Sequence, residues 1–303
     1  MKRICLILIV LASYGTLGSC QEGLELEIDL QIPEKEDTEV VKPDIRPRYE
    51  EIMSLGGNTS PWAQGGDSWG DYFFQFVSDN SLVRIYDLST KTLVQSLRIP
   101  TTERGFVPNC HCNTVCFGTE YYDAEDIFPL IYVSTGYESG GYTGALVYRI
   151  TLHQEVFFIT LVQTIKFPAE NSSWTEFVPG DGYAYLCYTS ERVIYKVEMP
   201  KLKDGDIIIG RDSALETYQF PPQPDWMSTS RNQDRVFYQG EIMFVSGGPG
   251  EAIVFVVLDL KNRERKTIVD LTKIGLKNEP ESIFIWQGDL CIAFLDRIVR
   301  LIL

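Results

Sequence analysis

The stretch QDRVFYQGEIMFVS, residues 233–246, decides the fold of this chain. A polar residue opens an apolar and aromatic run, a Gln-Gly turn follows, and a second apolar run completes the unit. Two such runs joined by a short glycine-containing turn are typical of a β-hairpin. The arrangement recurs as ESIFIWQGDLCIAF at residues 281–294, so the hairpin belongs to a repeat.

Five such units follow Gly56, and their spacing of roughly 40 to 50 residues, or slightly more, is what a four-stranded propeller blade needs. We therefore predict an all-β, five-bladed β-propeller over residues 48–303. The same spacing leaves a six-bladed ring with one degenerate blade as the alternative, whereas two packed β-sandwiches would give the repeat no reason. The units open at Gln64–Gly70, His111–Gly118, Glu176–Gly182, Gln233–Gly240 and Glu281–Gly288.

The fifth unit contains only three strand-like runs before the chain ends. We predict that Glu51–Leu55, just before the first inner strand, supplies the missing outer strand and pairs the two ends of the chain. Closure leaves no unpaired strand edge within the ring. This arrangement resembles the strand closure of the propeller superfamily, although no motif names one family within it.

The N-terminus predicts export. Residues 1–19 have a basic start at Lys2-Arg3, an apolar core at Ile4–Ala12 and small residues before a cysteine, as in a secretory leader. Leu17-Gly18-Ser19-Cys20 resembles the bacterial lipobox, which implies cleavage before Cys20 and attachment of diacylglycerol to that cysteine. The resemblance implies a lipoprotein of the cell envelope, anchored to the outer membrane and either periplasmic or surface-exposed. The alternative is an ordinary secretory leader cut nearby.

Residues 20–47 are predicted to be an acidic tether, because residues 21–41 contain eight acidic residues, one lysine and no aromatic residue. Alternating apolar residues from Leu24 to Ile32 leave a docked strand as the alternative. The acidic run loosely resembles the surface-export signals of some Gram-negative lipoproteins. The net charge of −15, two units more negative without the leader, predicts that nucleic acid is not a partner.

The polar residue that opens each unit lies six or seven positions before its turn glycine. Because inner strands surround the channel of a propeller, we predict that these residues form a ring at its entrance. We predict that the ring binds a small molecule, glycan or peptide without catalysis; the alternative is that the entrance is polar only because it is wet. The predicted ligand-binding residues are Gln64, His111, Asn113, Glu176, Gln233 and Glu281, with Trp62 and Trp174 as stacking platforms.

Two other chemistries fit the same ring. Glu176 and Glu281 are the acid and base of a carboxylate-dependent polysaccharide hydrolase if their carboxyl groups lie about 5 to 10 Å apart. With glutamine oxygens they could instead hold calcium, which takes oxygen ligands. We otherwise expect no cofactor. The third hypothesis is a scaffold that contacts other envelope proteins through a flat face.

Cysteines near the second unit suggest a metal cluster at first sight, but alternating strand geometry separates Cys112 and Cys116 from His111. We predict no metal there. A disulfide between two of Cys110, Cys112 and Cys116 stays possible in an oxidising compartment. Cys187 and Cys291 lie in apolar runs and are predicted to be buried thiols.

Overall fold

The computed structural model describes residues 47–55, 63–78, 82–100, 111–136, 140–169, 175–188, 193–222, 232–248 and 250–303. The leader, Cys20, the tether up to residue 46, Trp62, Cys110 and Trp174 lie outside these ranges. The described residues belong to one compact unit, Ile45–Leu303. Nothing among them forms a helix that is long and apolar enough to cross a bilayer.

The described chain is built almost entirely from β-strands. In chain order they are β1 (Arg48–Ser54), β2 (Ala63–Trp69), β3 (Tyr72–Val77), β4 (Leu82–Asp87), β5 (Thr92–Arg98), β6 (Val115–Phe117), β7 (Ile131–Ser134), β8 (Tyr142–His153), β9 (Val156–Pro168), β10 (Thr175–Gly180), β11 (Tyr183–Tyr188), β12 (Val193–Glu198), β13 (Ile207–Ile208), β14 (Glu216–Gln219), β15 (Asn232–Tyr238), β16 (Glu241–Ser246), β17 (Val254–Asp259), β18 (Glu264–Asp270), β19 (Pro280–Trp286), β20 (Asp289–Phe294) and β21 (Arg297–Ile302).

These strands form five separate sheets, one for each sequence repeat. Blade 1 is β2–β5, blade 2 is β6–β9 with β13 at its outer edge, blade 3 is β10–β12 with β14, blade 4 is β15–β18, and blade 5 is β19–β21 with β1. The five-bladed propeller is therefore confirmed, and the six-bladed and sandwich alternatives are wrong. We call the face where the inner strands begin the upper face, and the opposite one the lower face.

Two-residue turns explain why the inner hairpins form where glycine recurs. Gln239 and Gly240 both have positive φ, at 51° and 82°, and so do Gln287 and Gly288, at 52° and 84°. Two consecutive positive φ values match the twist of flanking strands in a tight hairpin, and the second position favours glycine. The turns end the inner strands at a fixed distance from their polar first residues.

The ring is closed by the two ends of the described chain. Strand β1 pairs antiparallel with β21, from Arg48 opposite Ile302 to Ser54 opposite Arg297. Ile52 and Met53 are buried beneath this seam. The predicted outer strand is confirmed, and it begins three residues earlier than the sequence indicated.

Aromatic side chains fill the spaces between blades. Phe73 of blade 1 stacks on Phe284 of blade 5, with ring centroids 4.5 Å apart. Tyr185 of blade 3 stacks on Phe237 of blade 4 at 5.1 Å. Such contacts exclude water between sheets and contribute about 0.5–1.5 kcal/mol beyond the burial of their area.

One connection was not predicted. Between β12 and β14, residues 199–215 leave blade 3 and place β13 beside β9 of blade 2, in parallel, with Ile207 opposite Ile165. Two short 3-10 turns flank this strand. The insertion therefore fastens two neighbouring blades along their outer edges.

Candidate functional site

Three of the five predicted ring residues lie at breaks in regular strand pairing. The register of the inner strands shifts between Ala63 and Gly66, around Gln64, and it also shifts at Gln233 and at Glu281. A β-bulge leaves an extra residue without a partner across the ladder and turns its side chain away from the regular alternation. The polar openings are therefore local departures from the strand, placed at the upper end of the inner strands.

The ring is buried rather than lying at a wet rim. Gln64 is 7% exposed, Asn113 1%, Glu176 1%, Gln233 6% and Glu281 2%. His111 is half-buried. Buried polar groups need hydrogen-bond partners, so the partner of each side chain decides its role.

Most of these partners belong to the next blade. Hydrogen bonds at or next to the inner strands cross all five junctions of the ring. They run from Gly65 N to Cys112 O (2.9 Å), from Phe177 N to Ser134 Oγ (2.9 Å), from Arg235 Nε to Glu176 Oε2, from Ile283 N to Asp234 Oδ2 (3.1 Å), and from Ser282 Oγ to Gln64 O (3.1 Å). Many of the polar residues that the sequence places around the axis therefore form hydrogen bonds that join neighbouring blades.

Glu176 is the clearest example. Arg235 of blade 4 donates to its Oε2 and forms a buried ion pair, and Asn113 Nδ2 of blade 2 donates to its Oε1 at 3.3 Å. The Arg235 guanidinium also lies 4.6 Å from the ring centroid of Phe244. Both oxygens of Glu176 thus have protein partners, and its charge is compensated inside the ring.

Deeper in the ring, residues of two blades on opposite sides of the axis contact each other directly. Cys116 Sγ of blade 2 donates to the carbonyl of Arg235 in blade 4 at 3.2 Å, although these blades are not neighbours. Asp67 and Asp234 lie in the same region, where burial raises the pKa of Asp67 to about 7 and that of Asp234 well above its ordinary value. The channel is therefore filled at this depth, so a ligand would bind above it.

Glu281 differs from Glu176. Its Oε2 is buried and has no hydrogen-bond partner among the described residues. Burial raises the pKa of this carboxyl well above its ordinary value, and the charges of Glu279 and Asp234 raise it further. Next to it, Gln233 Nε2 donates to Gly247 O at 2.8 Å and to Glu279 Oε1 at 2.7 Å. Burial thus favours the neutral acid form of Glu281, and its Oε2 keeps unused hydrogen-bonding capacity.

Neutral polar groups make up most of the rest. Burial lowers the pKa of His111, which favours the uncharged imidazole. Asn113 Oδ1 and the hydroxyl groups of Thr114 and Thr175 are buried without partners in the described part of the chain. Such orphaned groups in native proteins are normally satisfied by water or by a ligand.

The other predictions have mixed outcomes. Trp62, Trp174 and Cys110 fall outside the described residues. Cys116, Cys187 and Cys291 are buried thiols, so the buried state of the last two is confirmed and no disulfide includes Cys116. Within the described ranges, no group of three or more His, Cys, Asp or Glu residues could hold a metal ion. The calcium alternative, which also uses glutamine oxygens, stays a prediction.

Sequence reasoning missed the residues that build the ring. Asp67, Asp234 and Arg235 were not selected, although each is a charged residue in a strand that the repeat places at the axis. Charged residues are rarely fully buried unless paired, so their position was the available signal. Their partners across the blade junctions lie 49 to 59 positions away in the chain and could not be read from spacing.

Comparisons with known proteins concern the fold alone. No protein-family model matches the chain, and no curated protein does either. Among solved structures, glutaminyl cyclase of Myxococcus xanthus is 12% identical with a TM-score of 0.46, covering 85% of this chain and 94% of that one. A PQQ-bound aldose sugar dehydrogenase of Streptomyces coelicolor is 9% identical with a TM-score of 0.46, covering 84% and 98%. Regucalcin of Agrobacterium tumefaciens, a calcium-binding protein, is 10% identical with a TM-score of 0.44, covering 78% and 83%. At such values these overlaps bring no functional argument.

Proposed function

We propose that this propeller is a non-catalytic binding protein that takes a small molecule, glycan or peptide at the upper end of its channel. The observation that supports this most is Glu281, a buried carboxyl group at a bulge whose Oε2 has no protein partner among the described residues. Leaving such a group unsatisfied costs about 1–3 kcal/mol. A ligand that bonds to it recovers that cost.

The chemistry of the ring favours an uncharged, hydroxyl- or amide-bearing ligand. Burial favours the neutral forms of Glu281 and His111, Gln64 and Gln233 are amides, and Glu176 is compensated by Arg235. Carboxylic acid and amide groups both donate and accept hydrogen bonds, which suits sugar hydroxyls and peptide groups. Trp62 and Trp174 belong to this proposal as stacking platforms.

A thermal-shift screen of the full-length chain in maltoside micelles tests the proposal. Sugars, short peptides and divalent ions are added separately, because a ligand of the native state raises the melting temperature. We expect a neutral sugar or peptide to stabilise the wild type, also in the presence of EDTA, and to lose its effect on Glu281→Ala. The control Glu264→Ala, at an exposed position of β18, should respond as the wild type does. If no compound stabilises the folded protein, the scaffold hypothesis replaces this one.

We also propose that Cys20 carries the lipid that anchors the protein to the outer membrane. The support is the lipobox-like junction after a leader-like segment. Metabolic labelling with a radioactive fatty acid tests it. The wild type should become labelled and sediment with membranes, whereas Cys20→Ala should do neither; equal labelling of the variant would contradict the anchor.

The second candidate is a carboxylate-dependent hydrolase acting on polysaccharide. Its support is that burial raises the pKa of Glu281, whereas Arg235 compensates the charge of Glu176, since glycosidases use two carboxyl groups in unlike environments. Release of reducing ends from a polysaccharide panel tests it. Activity that is abolished in both Glu176→Gln and Glu281→Gln would replace the binding proposal, and inactivity on every substrate that binds would reject the hydrolase.

A further inference from the structure

Exposed apolar side chains are concentrated on one part of the molecule, away from the ring. Ten large hydrophobic residues are exposed in the described chain, and seven of them belong to the lower face and rim of blades 1 and 2. These seven are Leu93, Val94, Tyr121, Tyr122, Ile127, Val156 and Phe158. Two of them, Ile127 and Phe158, line the same cavity. Single apolar residues are ordinary on protein surfaces, whereas apolar residues grouped around a cavity favour an interaction site.

Two adjoining cavities make this surface concave. One, of about 350 Å³, is lined on blade 2 by residues that include Ile127, Arg149 and Phe158. The other, of about 280 Å³, lies toward blade 1 beside Trp69. Ile127 and Leu152 line both, so the two cavities form one groove across the junction of the blades. We call it the lower groove.

The lower groove is held in shape before any partner arrives. Arg149 forms a two-pronged ion pair with Asp126, at 2.6 and 2.9 Å, and stacks over Tyr122 at 4.5 Å. Gln95 of blade 1 exchanges two hydrogen bonds with the backbone of Phe157 in blade 2, at 3.0 and 2.8 Å. A preformed surface loses little entropy on binding, which favours a specific partner.

Charge decides which partner fits. The groove is lined by five acidic residues, and Arg149 is the one lysine or arginine among its described lining residues. Asp126 is neutralised by Arg149, whereas Asp123 and Glu125 are exposed. The whole chain adds a net charge of −15, which attracts cationic partners over a distance. The acidic residues are Asp71, Asp87, Asp123, Glu125 and Asp126.

We propose that the lower groove is a docking site for a protein partner that presents a basic segment containing an apolar or aromatic side chain. The apolar side chain of the partner packs against Ile127 and Phe158, and its lysine or arginine residues face Asp123 and Glu125. Buried apolar anchors surrounded by charged contacts are the usual anatomy of a protein interface. This site is separate from the ring and does not depend on the ligand proposed there.

Fluorescence anisotropy of a labelled probe peptide, Lys-Leu-Lys-Phe-Lys with blocked ends, tests the proposal on the full-length chain in maltoside micelles. The acidic counterpart, with Glu in place of Lys, and protein-free micelles are the controls for charge and for detergent. We expect binding of the basic peptide to the wild type, weakened at least fivefold when salt rises from 50 to 300 mM, because salt screens exposed charges. No comparable binding of the acidic peptide is expected.

Variants locate the binding. Ile127→Ser combined with Phe158→Ser should weaken the basic peptide at least tenfold, and Glu125→Gln should weaken it at least twofold. Ile208→Ser, at a residue 57% exposed on β13, which pairs with β9 at Ile165 and Lys166 rather than at Phe158, and Glu264→Gln are the matched controls and should leave affinity unchanged. The proposal is overturned if the basic peptide does not bind, if the acidic peptide binds equally well, or if the control variants weaken binding as much as the groove variants.

Discussion

The buried ion pair between Glu176 and Arg235 provides the sharpest test of how the ring is built. Arg235→Met removes the guanidinium and leaves Glu176, 1% exposed, with the hydrogen bond from Asn113 as its remaining partner among the described residues. Removing one partner of a buried ion pair costs about 3–5 kcal/mol, since the remaining charge has lost its compensation. In a domain of this size, such a loss lowers the melting temperature by roughly 10 °C.

The double variant separates the pair from general damage. With Glu176→Gln added, no uncompensated charge remains, so the double variant should be more stable than Arg235→Met alone. Arg263→Met is the matched control, because Arg263 forms an exposed ion pair with Glu216 and its loss should barely change the melting temperature. Thermal unfolding followed by circular dichroism measures all four proteins. Equal melting temperatures for Arg235→Met and Arg263→Met would refute the reasoning.

Three further predictions concern the axis, the seam and the thiols. Because the pKa of Asp67 is raised to about 7, the native state keeps a proton that the unfolded state releases near pH 4, so the free energy of unfolding should fall by about 1.4 kcal/mol per pH unit between pH 4 and 7. Chemical denaturation of Asp67→Asn at several pH values should show a shallower dependence of this free energy on pH. An identical pH dependence in the variant and the wild type would contradict this. Met53→Ala should lower the free energy of unfolding by about 2–5 kcal/mol, because it leaves a cavity beneath the closing strand β1. The control Glu50→Ala, at an exposed position of β1, should leave it nearly unchanged. Similar denaturation midpoints for the two variants would contradict a stabilising role of β1. Cys116 and Cys187 should resist alkylation in the native protein and react after denaturation, as read by peptide mass spectrometry; labelling of either in the native state would show that it is accessible.

The blade count and the ring closure could be predicted because both depend on local patterns. A Gln-Gly turn such as Gln239-Gly240 fixes a hairpin by its own backbone preferences, so the hairpins can be counted from the sequence. The last unit has only three strand-like runs, which indicates that its fourth strand comes from elsewhere in the chain. The strand β13 could not be predicted, since two residues that join a neighbouring blade leave no periodic pattern.

The positions of the ring residues could be predicted from the sequence, but their contacts could not. The sequence identifies Gln64, Gln233 and Glu281 as polar first residues, but the bulges that hold them depend on pairing with the second strand of each blade. Sequence spacing also could not distinguish Glu176, whose two carboxylate oxygens accept hydrogen bonds from other blades, from Glu281, whose Oε2 has no partner among the described residues. That difference arises from residues more than 50 positions apart in the chain.

A crystal structure of the propeller with the best compound from the thermal screen tests the central claim most directly. The account predicts that a hydroxyl or amide group of the ligand lies within about 3.2 Å of the Glu281 carboxyl group, above the level where Cys116 meets Arg235. A ligand bound elsewhere, with Glu281 satisfied by ordered water alone, would contradict it.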